Sequence, residues 1–186
     1  MKDTANKYTY LCKNTAIFAV SSFSTKILSF LFIPIYTAVL STIEYGTADL
    51  INTTGVLLIY ILTINIADSV LRFSIEKVED SEKILSFGVK VLFVGAIICA
   101  LLLGFACYIE LYNWPKIFYV FIFLFFVSSA FYQIVTNYLR GIDKVSAVAV
   151  SGVISSGIII GSNILFLVVI KLGILGYLIS MVTGPI

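Results

Sequence analysis

Apolar residues run along this chain in long blocks, and polar residues mark the gaps between them. The first block covers residues 14–40. As a helix it measures roughly 40 Å, more than the roughly 30 Å of hydrocarbon in a bilayer. Further blocks follow at 47–71, 84–108, 117–136 and 145–170, and a shorter one at 174–186. Within them polar positions recur on helical faces. Thr15, Ser22, Lys26 and Ser29 share one stripe of the first block, and Asn65, Asp68 and Arg72 share another by i, i+3 and i, i+4 spacing. The pattern predicts an all-α polytopic membrane protein. It comprises a single transmembrane domain over residues 1–186, with five full spans and an incomplete sixth. The final stretch makes about 20 Å of helix, short of a crossing, so the chain is expected to be the front part of a longer protein.

Composition agrees with this class. The chain is 60% hydrophobic and only 12% charged, more apolar than a soluble domain of its size can hide. The net charge of +2 gives no reason to expect nucleic acid. The first block is too long for a signal-peptide core, and no small-residue cleavage site follows it. Cys12, Cys99 and Cys107 are scattered and there is no His, so neither a disulfide framework nor a zinc site is expected.

Basic residues give an orientation. The head and the second and fourth connections hold Lys2, Lys7, Lys13, Arg72, Lys77, Lys83, Arg140 and Lys144, whereas the other connections hold Lys116 and Lys171. By the positive-inside rule the N-terminus is expected to be cytoplasmic. Tyr10, Tyr36, Tyr45, Tyr108, Tyr112, Trp114, Tyr138 and Tyr177 fall near the expected interfaces.

Lys26 is the strongest single chemical signal. It falls near the midplane of the first span, where an ammonium costs about 2.5–3.5 kcal/mol to insert. Either it faces a cavity and meets an anionic substrate, or it is a structural Lys that snorkels or pairs with Asp68 or another acid. Arg72, Lys90 and Arg140 are further candidate cavity cations. Arg72 is suited to a bidentate phosphate contact or to an ordinary pair with Glu76, and Lys90 is shallow enough to snorkel. Arg140 shares a face with Gln133 and Asn137, which either lines an inner mouth or caps the helix. Asp68 is a candidate for gating or ion coupling. Asp49 is another, although like Glu44 it also reads as a helix-start acid. Ser22, Ser29, Asn65 and Gln133 complete the polar candidates. Gly157 and Gly161, Ser151 and Ser155, and Gly152 and Ser156 form small-xxx-small pairs, which let membrane helices approach closely.

No paired carboxylates, Ser–His–Asp set, phosphate loop or metal cluster stands out, so no catalytic residue, cofactor or enzyme activity is expected. A drug or cation exporter would be better served by buried acids than by Lys26. A non-transporting scaffold subunit of a polysaccharide assembly complex is the remaining alternative.

The stretch "IPIYTAVLSTIEYG", the "DSVLRF" that ends the second span and "NYLRGIDK" after the fourth resemble the polysaccharide (O-antigen) flippases. These belong to the multidrug/oligosaccharidyl-lipid/polysaccharide exporter superfamily. The resemblance implies the N-terminal lobe of a two-lobed body that encloses a cationic cavity and works by alternating access in the bacterial inner membrane. It implies as substrate an undecaprenyl-diphosphate-linked repeat unit for O-antigen, lipopolysaccharide, capsule or exopolysaccharide. As partners it implies membrane lipids and the polysaccharide polymerase and chain-length machinery.

Overall fold

The computed structural model describes Thr15, Phe30, Ile33, Pro34 and residues 36–76, 80–110 and 114–185. Lys26, Ser22 and Ser29 lie outside the described residues. The end of the first span is helical through residue 39, where the Leu40 N–H donates to the Tyr36 carbonyl at 2.8 Å.

Ser41 ends that helix and starts the next. Its hydroxyl accepts from the Glu44 N–H at 3.3 Å, and the Glu44 carboxylate accepts from the Ser41 N–H at 2.9 Å. This capping box satisfies two backbone donors that would otherwise be stranded at a helix start. Helix α1 therefore begins at Thr42, ahead of the predicted residue 47, and runs Thr42–Thr63. Replacing Ser41 by Ala is expected to cost about 0.5–2 kcal/mol, read as a lowered unfolding midpoint in mixed micelles. An unchanged midpoint would contradict the cap. The buried face of α1 is the stripe Ala48, Ile51, Gly55, Ile59 and Thr63.

The predicted second span, continuous to residue 71, is interrupted. Ile64 and Asn65 both adopt φ of 50°. That region suits Asn but strains a β-branched Ile, by about 1–3 kcal/mol. Asn65 uses its side chain instead of the helical ladder, donating from Nδ2 to Asp68 Oδ2 at 2.6 Å. Helix α2, Ile66–Glu76, then packs against α3 and α4. The break lies beside the middle of α3. A methyl group at Gly95 would stand 3.2 Å from the Leu62 carbonyl oxygen, and one at Gly88 would stand 2.8 Å from the Val70 side chain.

Helix α3 spans Ser81–Tyr108 and starts before the predicted residue 84, with Lys83 Nζ 2.7 Å from Asp80 Oδ1 at its head. Helix α4, Lys116–Gly141, is the centre of the bundle. It packs against α1, α2 and α3, against α5 (Val145–Asn163) and against α6 (Ile174–Thr183). Phe126, Ile122 and Ile134 on α4 are fully buried, as are Ile51 of α1 and Val70 of α2.

The sequence pattern ends the fourth span at residue 136 and reads 137–144 as a turn. The helix instead runs to Gly141, because its last turn is packed against α2. A Cβ at Gly141 would stand 2.5 Å from Ser74 Cβ and 3.1 Å from the Leu71 carbonyl oxygen. Asn137 and Arg140 therefore stand on a helix.

α5 continues into a π-helical segment, Ile164–Val169. Gly157 and Gly161 on α5 face open space, so the small-residue pair they form is not where the described helices meet. Close approach occurs instead at Gly55, Gly95, Gly141 and Gly176.

Four of these helices (α1, α3, α4 and α5 with its π-helical extension) are long and apolar enough to cross a membrane. Phe93, Leu101, Val153 and Ile154 are among many exposed apolar residues on α3 and α5. An apolar exterior over helices of this length is what hydrocarbon solvates. The chain is an all-α, multi-pass membrane protein.

Candidate functional site

Two polar clusters stand out within this apolar body. The first joins α2 to the end of α4. Asp68 accepts from Asn65 Nδ2, and its other oxygen accepts from Asn137 Nδ2 at 3.3 Å. Asn137 Oδ1 in turn accepts from Arg140 Nη1 at 3.2 Å. The structure thus brings together Asn65, Asp68 and Arg140, three of the residues that the sequence singles out. Asn65 stands at the break before α2, and Asn137 and Arg140 stand on the extended end of α4.

Arg72 is not part of this cluster. Its Nε lies 3.2 Å from Glu76 Oε1, and its side chain is 77% exposed. That is the ordinary helix-surface pair, worth about 0.2–1 kcal/mol. Lys90 is exposed on α3 and Gln133 is half-buried on α4. Neither is among the residues lining the cavity described next.

The second cluster lines a cavity of about 710 Å³ between the end of the first span and α1, α4, α5 and α6. That volume is within the roughly 300–1,000 Å³ of small-molecule sites. Four tyrosines contribute to its wall: Tyr36, Tyr45, Tyr132 and Tyr177. Tyr36 meets Tyr177 edge-on, with ring centroids 5.0 Å apart, and stacks on Tyr45 at 6.4 Å. The Glu44 carboxylate lies against the start of α6, where a Cβ at Gly173 would stand 3.2 Å from its Oε1. This ties the first turn of α6 to the first turn of α1 and so holds Tyr45 and Tyr177 on facing walls.

Asn52, Ser155, Ser156 and Asn163 add amides and hydroxyls. Asn163 is the notable one. It is 3% exposed, and its Oδ1 has no hydrogen-bond partner among the described residues. A buried acceptor without a partner costs about 1–3 kcal/mol, and Asn163 is also among the residues that line the cavity. It stands where α5 gives way to the π-helical segment, an irregularity frequent at functional sites. Among the described lining residues Asp49 carries the only charge.

Among the described residues, Asp49 is the one sequence candidate that lines this cavity. The sequence pattern misses the others, Asn163 above all. Asn163 is the single amide in the otherwise apolar or small-residue fifth block, which is the available signal. Tyr36, Tyr45 and Tyr177 read as interface anchors in the sequence, a role that shares its residue type with cavity walls. Cavity cations are expected from the sequence, but Arg72, Lys90 and Arg140 do not line this space.

No curated protein matches the chain, and no solved structure does. One family model, described as polysaccharide biosynthesis protein, matches residues 11–186. With nearly its whole length matched, the chain belongs to the polysaccharide biosynthesis protein family.

Proposed function

We propose that this protein is a flippase, moving polyprenyl-diphosphate-linked oligosaccharide repeat units across a bacterial inner membrane. The carrying observation is the cavity of about 710 Å³, walled by tyrosine rings, amides and hydroxyls inside a body whose exterior is apolar. A sugar head group cannot cross hydrocarbon without replacements for its hydrogen bonds with water. Aromatic faces and amide groups supply those replacements. Directed movement then requires that the inward- and outward-open states bind the head group with different affinity.

With the N-terminus on the cytoplasmic side, the Tyr36–Tyr45–Tyr177 end of the cavity faces outward, and the Asp68–Asn137–Arg140 cluster, outside the cavity, lies on the cytoplasmic side of the bundle. In that frame Arg72 and Arg140 are our candidates to meet a diphosphate arriving from the cytoplasm, and Asp68 our candidate to respond to a coupling ion. Lys26 completes the cation set on this reading.

Disrupting the gene in its own cell tests the reading. Surface polysaccharide is expected to fall at least about tenfold, with lipid-linked repeat units accumulating in the cytoplasmic leaflet. Normal surface polysaccharide without such accumulation would contradict it. Asp49 in the cavity also suits an exporter of organic cations. That second reading predicts raised sensitivity to cationic dyes with polysaccharide unchanged.

A further inference from the structure

We propose that the π-helical segment Ile164–Val169 is a movable joint. It shifts toward the N-terminus of α5 by about one turn, and so turns Ile160 and Asn163, which line the cavity, about the helix axis. The inference concerns how the cavity wall changes and stands whatever the cavity binds.

A π segment closes i→i+5 hydrogen bonds and so holds about one residue more than an α-helix between the same two ends. Here the Ile170 N–H reaches back to the Leu165 carbonyl at 2.9 Å. Such a surplus residue can be passed along a helix by exchanging one backbone hydrogen bond for another, leaving no group stranded. Each residue that it passes turns by about 100° and moves about 1.5 Å along the axis.

The two sides of the segment are held unequally. On its C-terminal side α6 fixes the backbone. The Leu172 N–H donates to the Phe166 carbonyl at 2.9 Å, a Cβ at Gly176 would stand 2.9 Å from the same oxygen, and Leu167 is fully buried. On its N-terminal side the hold is slight. Within Val145–Asn163 the buried residues are Val148 and Asn163, and Gly157 and Gly161 face open space. Two contacts reach from the last turns of α5 to the end of α6. Ser162 Oγ lies 3.5 Å from Thr183 Oγ1, beyond the usual length of a hydrogen bond, and Ile159 packs on Gly184, which has no side chain to obstruct a turn. The surplus residue therefore has room to move into α5 and not toward α6.

Asn163 gives the movement a cause. Its Oδ1 is buried and has no hydrogen-bond partner among the described residues. A turn of about 100° takes the amide out of that position. The unmet amide favours the shifted register and the two contacts with α6 favour the described one, so the chain is expected to populate both.

The test measures spin-label distances in frozen nanodiscs, where the two registers do not average. Cys12, Cys99 and Cys107 are replaced by Ala. A label at Ile160→Cys is paired in turn with one at Leu101→Cys on α3 and one at Ile43→Cys on α1, both exposed positions. Two distances are expected in at least one pair. Deleting Leu165 removes the surplus residue and is expected to leave one of the two. Asn163→Leu removes the unmet acceptor and is expected to lower the share of the shifted register by about tenfold. A single distance in both pairs before either change overturns the inference. So do two distances whose shares Asn163→Leu leaves unaltered, or a Leu165 deletion that keeps both. Should the deletion fail to fold, the shares in Asn163→Leu decide.

Discussion

Replacing Asn163 by Leu is expected to weaken binding of the lipid-linked sugar by about tenfold or more while leaving the unfolding midpoint unchanged or raised. The two effects have one cause. The Asn163 Oδ1 is buried without a partner among the described residues, so the amide burdens the fold it belongs to. Leu has the same branched side chain of four heavy atoms and removes that burden, which is about 1–3 kcal/mol for a buried unsatisfied group. On the proposed reading the Asn163 amide turns toward the bound ligand and makes a hydrogen bond that Leu cannot replace. A site built to bond a polar group discriminates strongly when that bond is lost. Sites that sacrifice stability for binding are expected at functional positions. Binding is read by titration of a fluorescent lipid-linked probe and stability by thermal unfolding in the same micelles. Unaltered affinity in Asn163→Leu would remove Asn163 from the site. Lowered affinity together with a collapsed midpoint would assign it a structural role instead.

The largest stability effect is expected at Phe126. The ring is 0% exposed at the centre of α4, and it faces Gly95 of α3, where an added methyl would stand 3.5 Å from the ring. Phe126→Ala is expected to cost about 3–5 kcal/mol, the range for deleting a buried aromatic. Lipid tails solvate Phe nearly as well as a protein core does, so the loss is chiefly one of packing. Phe93→Ala on the same bundle is the internal comparison. Phe93 is 68% exposed on α3 and is expected to change stability by less than about 0.5 kcal/mol. Equal losses at the two positions, measured by denaturant titration in mixed micelles, would contradict the placement of α4 at the bundle centre.

Much of this architecture is legible from hydrophobic blocks because a bilayer imposes length and apolarity together. The helix break at Ile64–Asn65 is not. Apolar residues continue on both sides of it, and the i, i+3 spacing of Asn65 and Asp68 looks the same whether Asn65 ends a turn or continues a helix. The direct bond between their side chains, which accompanies a left-handed Asn65, depends on α2 packing against α4. The end of α4 is hidden for a similar reason. Asn137, Arg140 and Gly141 have the composition of a turn, and only contact with Ser74 and Leu71 keeps them helical.

The candidate site is less legible than the fold. Charges draw attention to Arg72 and Lys90, which are exposed, while the cavity is built mainly from tyrosines and uncharged amides. Such residues are common at membrane interfaces, and only the meeting of five segments shows which of them share a space. Asp49 reads equally well as a helix-start acid, and its position in the cavity wall gives it a second meaning.

The central claim is that the sugar head group occupies the cavity between α1, α4, α5 and α6. It is tested most directly by photo-crosslinking. A polyprenyl-diphosphate-linked sugar with a diazirine on the sugar ring is bound to the protein in nanodiscs and illuminated, and the labelled peptides are mapped. Labelling is expected within residues 152–163 and 177–185, suppressed by unlabelled ligand and reduced in Asn163→Leu. Labelling confined to the exposed apolar faces, such as Phe93 and Leu101 of α3, would contradict the claim and make the cavity irrelevant to the head group.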